Sequence, residues 1–475
     1  MNDNSLDVLL VNPPSGSAGY TKSPWRYVLS SNVSYGLLSL SSYLTKHGMN
    51  AAIIDSSAHS YTNAETLEIV KRYDPACIAF SATTTSISNA AYLCSRIKEL
   101  NPEIITIIGG SHVSSIPERT MQLFKSFDIA VLNEGELTLS ELLKRLKSSR
   151  SDLSDIKGII FRENSKLIRT APRQFIENLS DTLPLPDWSI LPDFPKAYQP
   201  PIFFSPSSRV ATLVTSRGCP YSCNFCNKSV FGNNYRSFTA EYIIECIKIL
   251  SRDYNINYFL FYDDNFTVDK QRLTNICDLI IKSNLNISFS CDAHVNTLTP
   301  EIIILLKRAG CWSISFGLES GSRKILESFG KTSDLEKARD IVNLTHSNGI
   351  RTKGLFILGS PEETLGTIDE TIDFIKNLKL STINLSKFAP YPGTKYYDML
   401  QHDNEIELWD TLNGTTFTDI NKNIPLDILE KEYYRVLKYF YNNKHVFAEH
   451  LGYILGSSNN VLRLSKSFAC KIAHC

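Results

Sequence analysis

The chain has 475 residues and as many basic as acidic side chains, 49 of each, for a formal net charge of +0. At roughly 150 residues per domain the length allows about three domains or two large ones, and hydrophobic residues at 43% exclude global disorder. Zero net charge argues against broad electrostatic binding to nucleic acid or to an anionic membrane. No apolar run approaches the ~18 residues of a membrane span. The first residues carry Asp3 and Asp7 and no basic side chain, so they do not read as a signal peptide. A cytoplasmic protein is expected. Its 11 cysteines are odd in number and unevenly spaced, unlike a secreted disulfide framework.

Residues 8–11, 51–54, 77–80, 104–108 and 129–132 are short β-rich runs, separated by helical patterns such as 37–47. Short buried strands alternating with helices predict a doubly wound, Rossmann-like parallel sheet over residues 1–145. Such sheets bind ligands at the carboxyl ends of their strands. Here those ends carry Asn12-Pro13-Pro14-Ser15-Gly16, Asp55, Ser81, Gly109-Gly110 and Asn133-Glu134-Gly135-Glu136, which suits a polar ligand touching backbone. Residues 146–207 read as a hairpin around Glu163-Asn164-Ser165, then a linker over the surface with prolines at 184, 186, 192, 195, 200, 201 and 206.

Over residues 208–400 six β-rich runs (210–214, 258–261, 287–290, 313–316, 355–358 and 382–385) alternate with helical stretches such as 243–250. Six βα beats are fewer than the eight of a closed barrel, so a partial (β/α)6 TIM-type barrel is expected. Residues 401–475 read as a helical region without a chemical motif, and the basic tail from residue 462 as a frayed terminus.

Directly after the first strand of the second beat stands Arg217-Gly218-Cys219-Pro220-Tyr221-Ser222-Cys223-Asn224-Phe225-Cys226. Three thiols at C-x3-C-x2-C spacing can converge at little loop-closure cost, and soft thiolates select zinc or an iron–sulfur cluster. Structural zinc wants four closed ligands, and the next cysteine is Cys246, inside a helical pattern. A four-iron cluster held by three thiolates keeps one iron open. Phe225 is placed to pack against it. The competing readings are inert thiols or a zinc site on a closed barrel.

The motif at Cys219, Cys223 and Cys226, with an aromatic before the third cysteine, resembles the signature of the radical S-adenosylmethionine (radical SAM) superfamily, and the resemblance extends to about residue 395. It implies a [4Fe–4S] cluster whose open iron binds S-adenosylmethionine, and an electron donor such as flavodoxin or ferredoxin. Further strand ends are similar to the family. Tyr262-Asp263-Asp264-Asn265 resembles its acidic turn, in which Asp264 takes the cofactor's ammonium; the alternative is that the Asp pair caps a helix. Gly317-Leu318-Glu319-Ser320-Gly321 resembles its Gly-x-Glu-Ser-Gly pattern, implying that Glu319 and Gly317 bind S-adenosylmethionine. Gly354-Leu355-Phe356-Ile357-Leu358-Gly359 is similar to the strand against adenine, where Gly359 lets backbone approach the ring. Asp292 and His294, at the third strand end, are candidates for substrate contact, with Cys291 beside them as a buried thiol.

The preceding sheet resembles the B12 (cobalamin)-binding domain of one class of these enzymes. The matching residues are Val11-Asn12-Pro13-Pro14, Tyr35-Gly36-Leu37, Asp55, Ser81-Ala82-Thr83-Thr84, Gly109-Gly110-Ser111-His112 and Asn133-Glu134-Gly135-Glu136. The resemblance implies that Asn12, Asp55, Ser81, Gly109, Gly110, His112, Glu134 and Gly135 contact cobalamin; for His112 the alternative is a turn residue with a satisfied hydrogen bond. Asp-x-His-x-x-Gly is absent, because His59 lies four residues after Asp55. The expected function is a cobalamin-dependent radical SAM enzyme that methylates an unactivated carbon or phosphorus of a small molecule. The alternatives are cyclisation, rearrangement or oxidation without methyl transfer, and a non-catalytic sensor.

Overall fold

The computed structural model describes residues 6–15, 32–148, 152–198, 205–207, 209–400, 405–455, 461–462 and 464–465. Gly16, the prolines at 200 and 201, and Cys470 and Cys475 lie outside the described residues. The first sheet holds β1 (Val8–Asn12), β2 (Ala51–Asp55), β3 (Cys77–Ser81), β4 (Ile105–Gly109) and β5 (Ile129–Val131), parallel and in the order β2-β1-β3-β4-β5. Alternate side chains feed two separate cores. Val8, Leu10, Ala79 and Ile107 join one, and Leu9, Val11, Ile78 and Ile108 join the other. That is the period of two in a strand buried on both faces. The order reverses at β1, so the β1 and β3 ends flank a topological switch point, where open α/β sheets bind ligands.

The hairpin belongs to this sheet rather than to a linker. β6 (Ile159–Glu163) pairs antiparallel with β5, and β7 (Lys166–Arg169) pairs with β6. The proline-rich stretch also differs from expectation. Leu183, Trp188, Leu191 and Tyr198 are buried in the core cluster that both sheets share. Proline prevents regular pairing there but leaves apolar side chains free to fill the seam.

The second sheet comprises β8 (Val210–Leu213), then, after the short β9 (Ser216–Arg217) and β10 (Arg236–Ser237), β11 (Tyr258–Phe261), β12 (Ser288–Ala293), β13 (Cys311–Glu319), β14 (Arg351–Leu358) and β15 (Thr382–Lys387). β8 and β11–β15 form one open parallel sheet in chain order, which excludes the closed eight-stranded competitor. The helix Ala240–Tyr254 shows how the outer layer forms. Thr239 Oγ1 accepts from the Tyr242 amide, Ile243, Ile247 and Leu250 bury one face, and Asn255 ends the helix at φ +57°. An open sheet exposes its edge carbonyls. Here the helix Leu426–Tyr441 covers the β15 edge, where Tyr441 Oη donates to Ile383 O at 2.9 Å and Tyr433 Oη to Leu385 O at 3.1 Å. No helix among the described residues is long and apolar enough to cross a membrane.

The C-terminal region clasps both sheets. Leu408, Trp409 and Leu412 complete the core that contains Leu9 and Val11. Trp409 also settles the place of His112. Its indole stands 4.4 Å from the imidazole, edge to face, and His112 is fully buried. His112 Nδ1 lies 3.3 Å from Thr84 Oγ1. His112 is thus packed in the core beneath a segment more than 290 positions away in the chain. Burial lowers its pKa to about 3, so the ring stays neutral.

Trp409→Ala should cost about 3–5 kcal/mol of unfolding free energy by denaturant titration; a change under about 1 kcal/mol would mean that the clasp is not part of the core. The folded-state pKa of His112 lies below its unfolded value of about 6.5. Its contribution to stability is thus fully present above that value and is lost as pH falls toward 3. Between pH 7 and 5 the loss should be about 2 kcal/mol. His112→Gln should remove that component of the pH dependence.

Candidate active site

The cysteine loop grows out of a small ribbon. Ser216 and Arg217 of β9 pair with Ser237 and Arg236 of β10, so residues 218–235 leave and return at one point. Gly218 opens the loop at φ +84°, where a Cβ would collide with the Asn234 carbonyl. Asp263 holds the approach: its carboxylate accepts from the Thr215 amide at 2.5 Å and the Ser216 amide at 2.7 Å. It braces β9 rather than capping a helix.

Further along, Asn224 N and Nδ2 donate to Phe329 O and Ser328 O, both at 2.8 Å. Asn227 Nδ2 donates to Pro392 O at 2.6 Å and to Ser115 Oγ of the first sheet's domain at 2.5 Å. The Phe225 ring packs 4.8 Å from Phe329. Cys219 and Cys223 are half-buried and Cys226 is exposed. Desolvation, and the Asp264 carboxylate beside it, push the Cys226 thiol up to about 11. A thiolate there needs a cation, and metal binding deprotonates such a thiol. No three His, Cys, Asp or Glu side chains among the described residues converge on a single-ion site. Three soft thiols carried on one short loop suit an iron–sulfur cluster.

Cys226 opens into a cavity of about 590 Å³ between the carboxyl ends of the two sheets. Thr83, Thr84 and Ser111 line it from one side, and Lys228, Asp264 and Tyr391 from the other. Burial, then the neighbouring Asp263, raises the Asp264 carboxyl. Glu319 ends β13 at φ +62°, a strained conformation for a side chain with a Cβ, and pairs with Lys331 at 2.8 Å. Gly317 makes room for that pair: a Cβ would lie 2.6 Å from Glu319 Oε1. Gly359, at φ +95°, has the Phe417 ring of the C-terminal region against it, 2.6 Å from a would-be Cβ.

A second pocket, of about 120 Å³, lies at the switch point of the first sheet. Ser81, Gly109, Gly110, Glu134 and Gly135 all line it, brought together from three strand ends. Small residues, apolar walls and exposed backbone fit a large neutral ligand such as part of a corrinoid. Asn12 and Asp55 do not line it. Asn12 Nδ2 donates to Asp55 Oδ1 at 2.8 Å, and burial raises the Asp55 carboxyl. Glu134 faces the pocket, but its carboxylate is engaged by Arg217, Arg236 and the Ile176 amide.

In the barrel, Asp292, Ser315 and Lys353 are in register on β12, β13 and β14. Burial raises the Asp292 carboxyl and lowers Lys353. His294 stacks on Tyr221, 4.1 Å between centroids, and burial lowers its pKa to about 4. Cys291 is buried on the helix side of β12, away from the mouth. Sequence reasoning missed Arg217 and Arg236 as partners of the Glu-Gly-Glu turn. The only signal was their charge beside the cysteine motif.

Residues 213–375 match the radical SAM superfamily, and residues 28–143 match the B12-binding domain. An uncharacterized methyltransferase of Pyrococcus horikoshii is 34% identical over 88% of this chain and 87% of its own. The anaerobic magnesium-protoporphyrin IX monomethyl ester cyclase of Rubrivivax gelatinosus is 25% identical over 82% of this chain and 69% of its own. The radical S-adenosylmethionine methyltransferase TsrM of Kitasatospora setae, solved with cobalamin and a [4Fe–4S] cluster, shares the fold at a TM-score of 0.64 and 18% identity, covering 82% of this chain and 73% of its own. The chain belongs to the radical SAM superfamily, in the class that joins a B12-binding domain to the radical SAM domain and works with a [4Fe–4S] cluster, S-adenosylmethionine and cobalamin.

Proposed function

We propose that the chain transfers a methyl group from S-adenosylmethionine to an unactivated carbon or phosphorus of a small-molecule substrate. The observation that carries this reading is the shared cavity, with Cys226 and Asp264 on one wall and Thr83, Thr84 and Ser111 on the other. When bound, the cluster supplies one-electron cleavage of S-adenosylmethionine and cobalamin supplies a methyl carrier. Cys219, Cys223 and Cys226 would hold the cluster. Asp264 and Glu319 would take polar ends of S-adenosylmethionine, with Gly317 leaving room for Glu319. Ser81, Gly109, Gly110 and Gly135 would hold cobalamin through small side chains and backbone, and Asn12 and Asp55 would order the adjacent strand ends. Phe225, Phe231 and Tyr391 wall the cavity and exclude water, which protects reactive species and fixes orientation. Residues 1–170 then act as the cobalamin domain and residues 208–400 as the radical SAM domain. A small electron carrier such as flavodoxin or ferredoxin, in a reducing cytoplasm, suits the oxygen-sensitive cluster.

The cyclase relative supports a second reading, ring closure with the same cofactors and no methyl transfer. Methyl-labelled S-adenosylmethionine separates the two: label is expected in the product, and a product without label would support cyclisation or oxidation instead. Each of Cys219→Ala, Cys223→Ala and Cys226→Ala should abolish both the brown chromophore and release of 5′-deoxyadenosine. Cleavage retained by any one of them would overturn the ligand assignment.

A further inference from the structure

The root of the cysteine loop is fixed by a buried charge network that crosses the domain boundary. Arg217, one residue before Gly218, donates from Nη1 to Glu134 Oε1 at 2.8 Å and from Nη2 to Glu136 Oε1 at 2.5 Å. Ser39 Oγ also donates to Glu136 Oε1, at 2.6 Å. Arg236, across the ribbon, donates from Nη1 to Glu134 Oε2 at 2.9 Å and to Ile176 O at 2.8 Å. Two cations balance two anions, and the Arg217, Glu134 and Glu136 side chains are each only 5% exposed. Burial by itself would raise the Glu136 carboxyl, but the Arg217 guanidinium, together with hydrogen bonds from Ser39 and the Glu136 amide, makes the net shift downward. The first domain also grips the far side of the loop, where Asn133 Nδ2 donates to Ser229 O and Ser115 Oγ to Ser229 Oγ.

Two facts make this network more than a joint. Desolvating four charges is expensive, and well-packed apolar side chains are often more stabilising. What the ions add is direction, because a guanidinium fork accepts few geometries. In addition, Glu134, Glu136, Arg217 and Phe231 themselves line the pocket at the switch point, together with Ser81 and Gly110. A ligand in that pocket therefore touches the same side chains that aim the cysteine loop.

We propose that Arg217, Glu134 and Glu136 are positioning residues that link occupation of the N-terminal pocket to the geometry of the cluster loop, so that cobalamin and the cluster each raise the other's affinity. The proposal rests on the assignment of that pocket to cobalamin. Two sites that bias one shared element are thermodynamically coupled, and the coupling is reciprocal.

The test is an anaerobic titration of the full-length chain with hydroxocobalamin, followed by absorbance, in cluster-free and cluster-reconstituted states. The wild type should bind more tightly after reconstitution by roughly five-fold or more. Glu136→Gln keeps shape and removes the charge. It should load both cofactors with the ratio of affinities falling to about one, whereas a purely structural role would lower both affinities and keep the ratio. Should Glu136→Gln not fold, Arg217→Lys, which keeps charge and loses the fork, takes its place. Equal affinities in the two wild-type states, or an unchanged ratio in the variant, would overturn the coupling alone. Absence of hydroxocobalamin binding in both states would overturn the pocket assignment and the coupling with it.

Discussion

The arrangement of this molecule depends on four buried charges. Arg217 and Arg236 come from the ribbon at the barrel mouth, Glu134 and Glu136 from the end of the first sheet, and they meet with their side chains buried. Removing one partner from such a network strands a charge in a medium that solvates it poorly, at a cost of about 3–5 kcal/mol. The two sheets are therefore held with their carboxyl ends facing each other, and the cavity beside Cys226 follows from that placement. Each sheet is an ordinary ligand-binding α/β layer on its own. Facing each other, they bring two such surfaces to one space.

The surrounding structure protects that arrangement. The proline-rich stretch fills the seam with Trp188, Leu191 and Tyr198, the segment around Trp409 clasps the first sheet, and Tyr433 and Tyr441 close the free edge of β15. Phe417 from the same C-terminal region sits against Gly359 at the barrel rim. These contacts carry no motif because packing asks only for apolar volume in the right place. They explain why a region without chemical signatures is still built into the site's walls.

The alternation of strands and helices, the six-stranded open barrel and the cysteine loop were legible in the sequence because they are local: short apolar runs separated by helical patterns, and three thiols within eight positions. The clustering of Ser81, Gly109, Gly110 and Gly135 follows from the rule that strand ends carry the site. What was not legible is pairwise and distant. Nothing in Glu134 names Arg217 as its partner, nothing in His112 foretells Trp409 above it, and nothing in Gly359 foretells the Phe417 ring against it. One chain states residue types and spacings; which far residues meet is decided by the packing of the whole.

Metal content of the full-length chain, purified anaerobically from cells supplied with cobalamin, bears most directly on the claim that the two sheets bring a cluster and a corrinoid to one cavity. About four irons with matching sulfide and about one cobalt per chain are expected, with the iron lost and the cobalt retained in Cys223→Ala. Stoichiometric zinc in place of iron, or a full complement of iron with no cobalt, would contradict it.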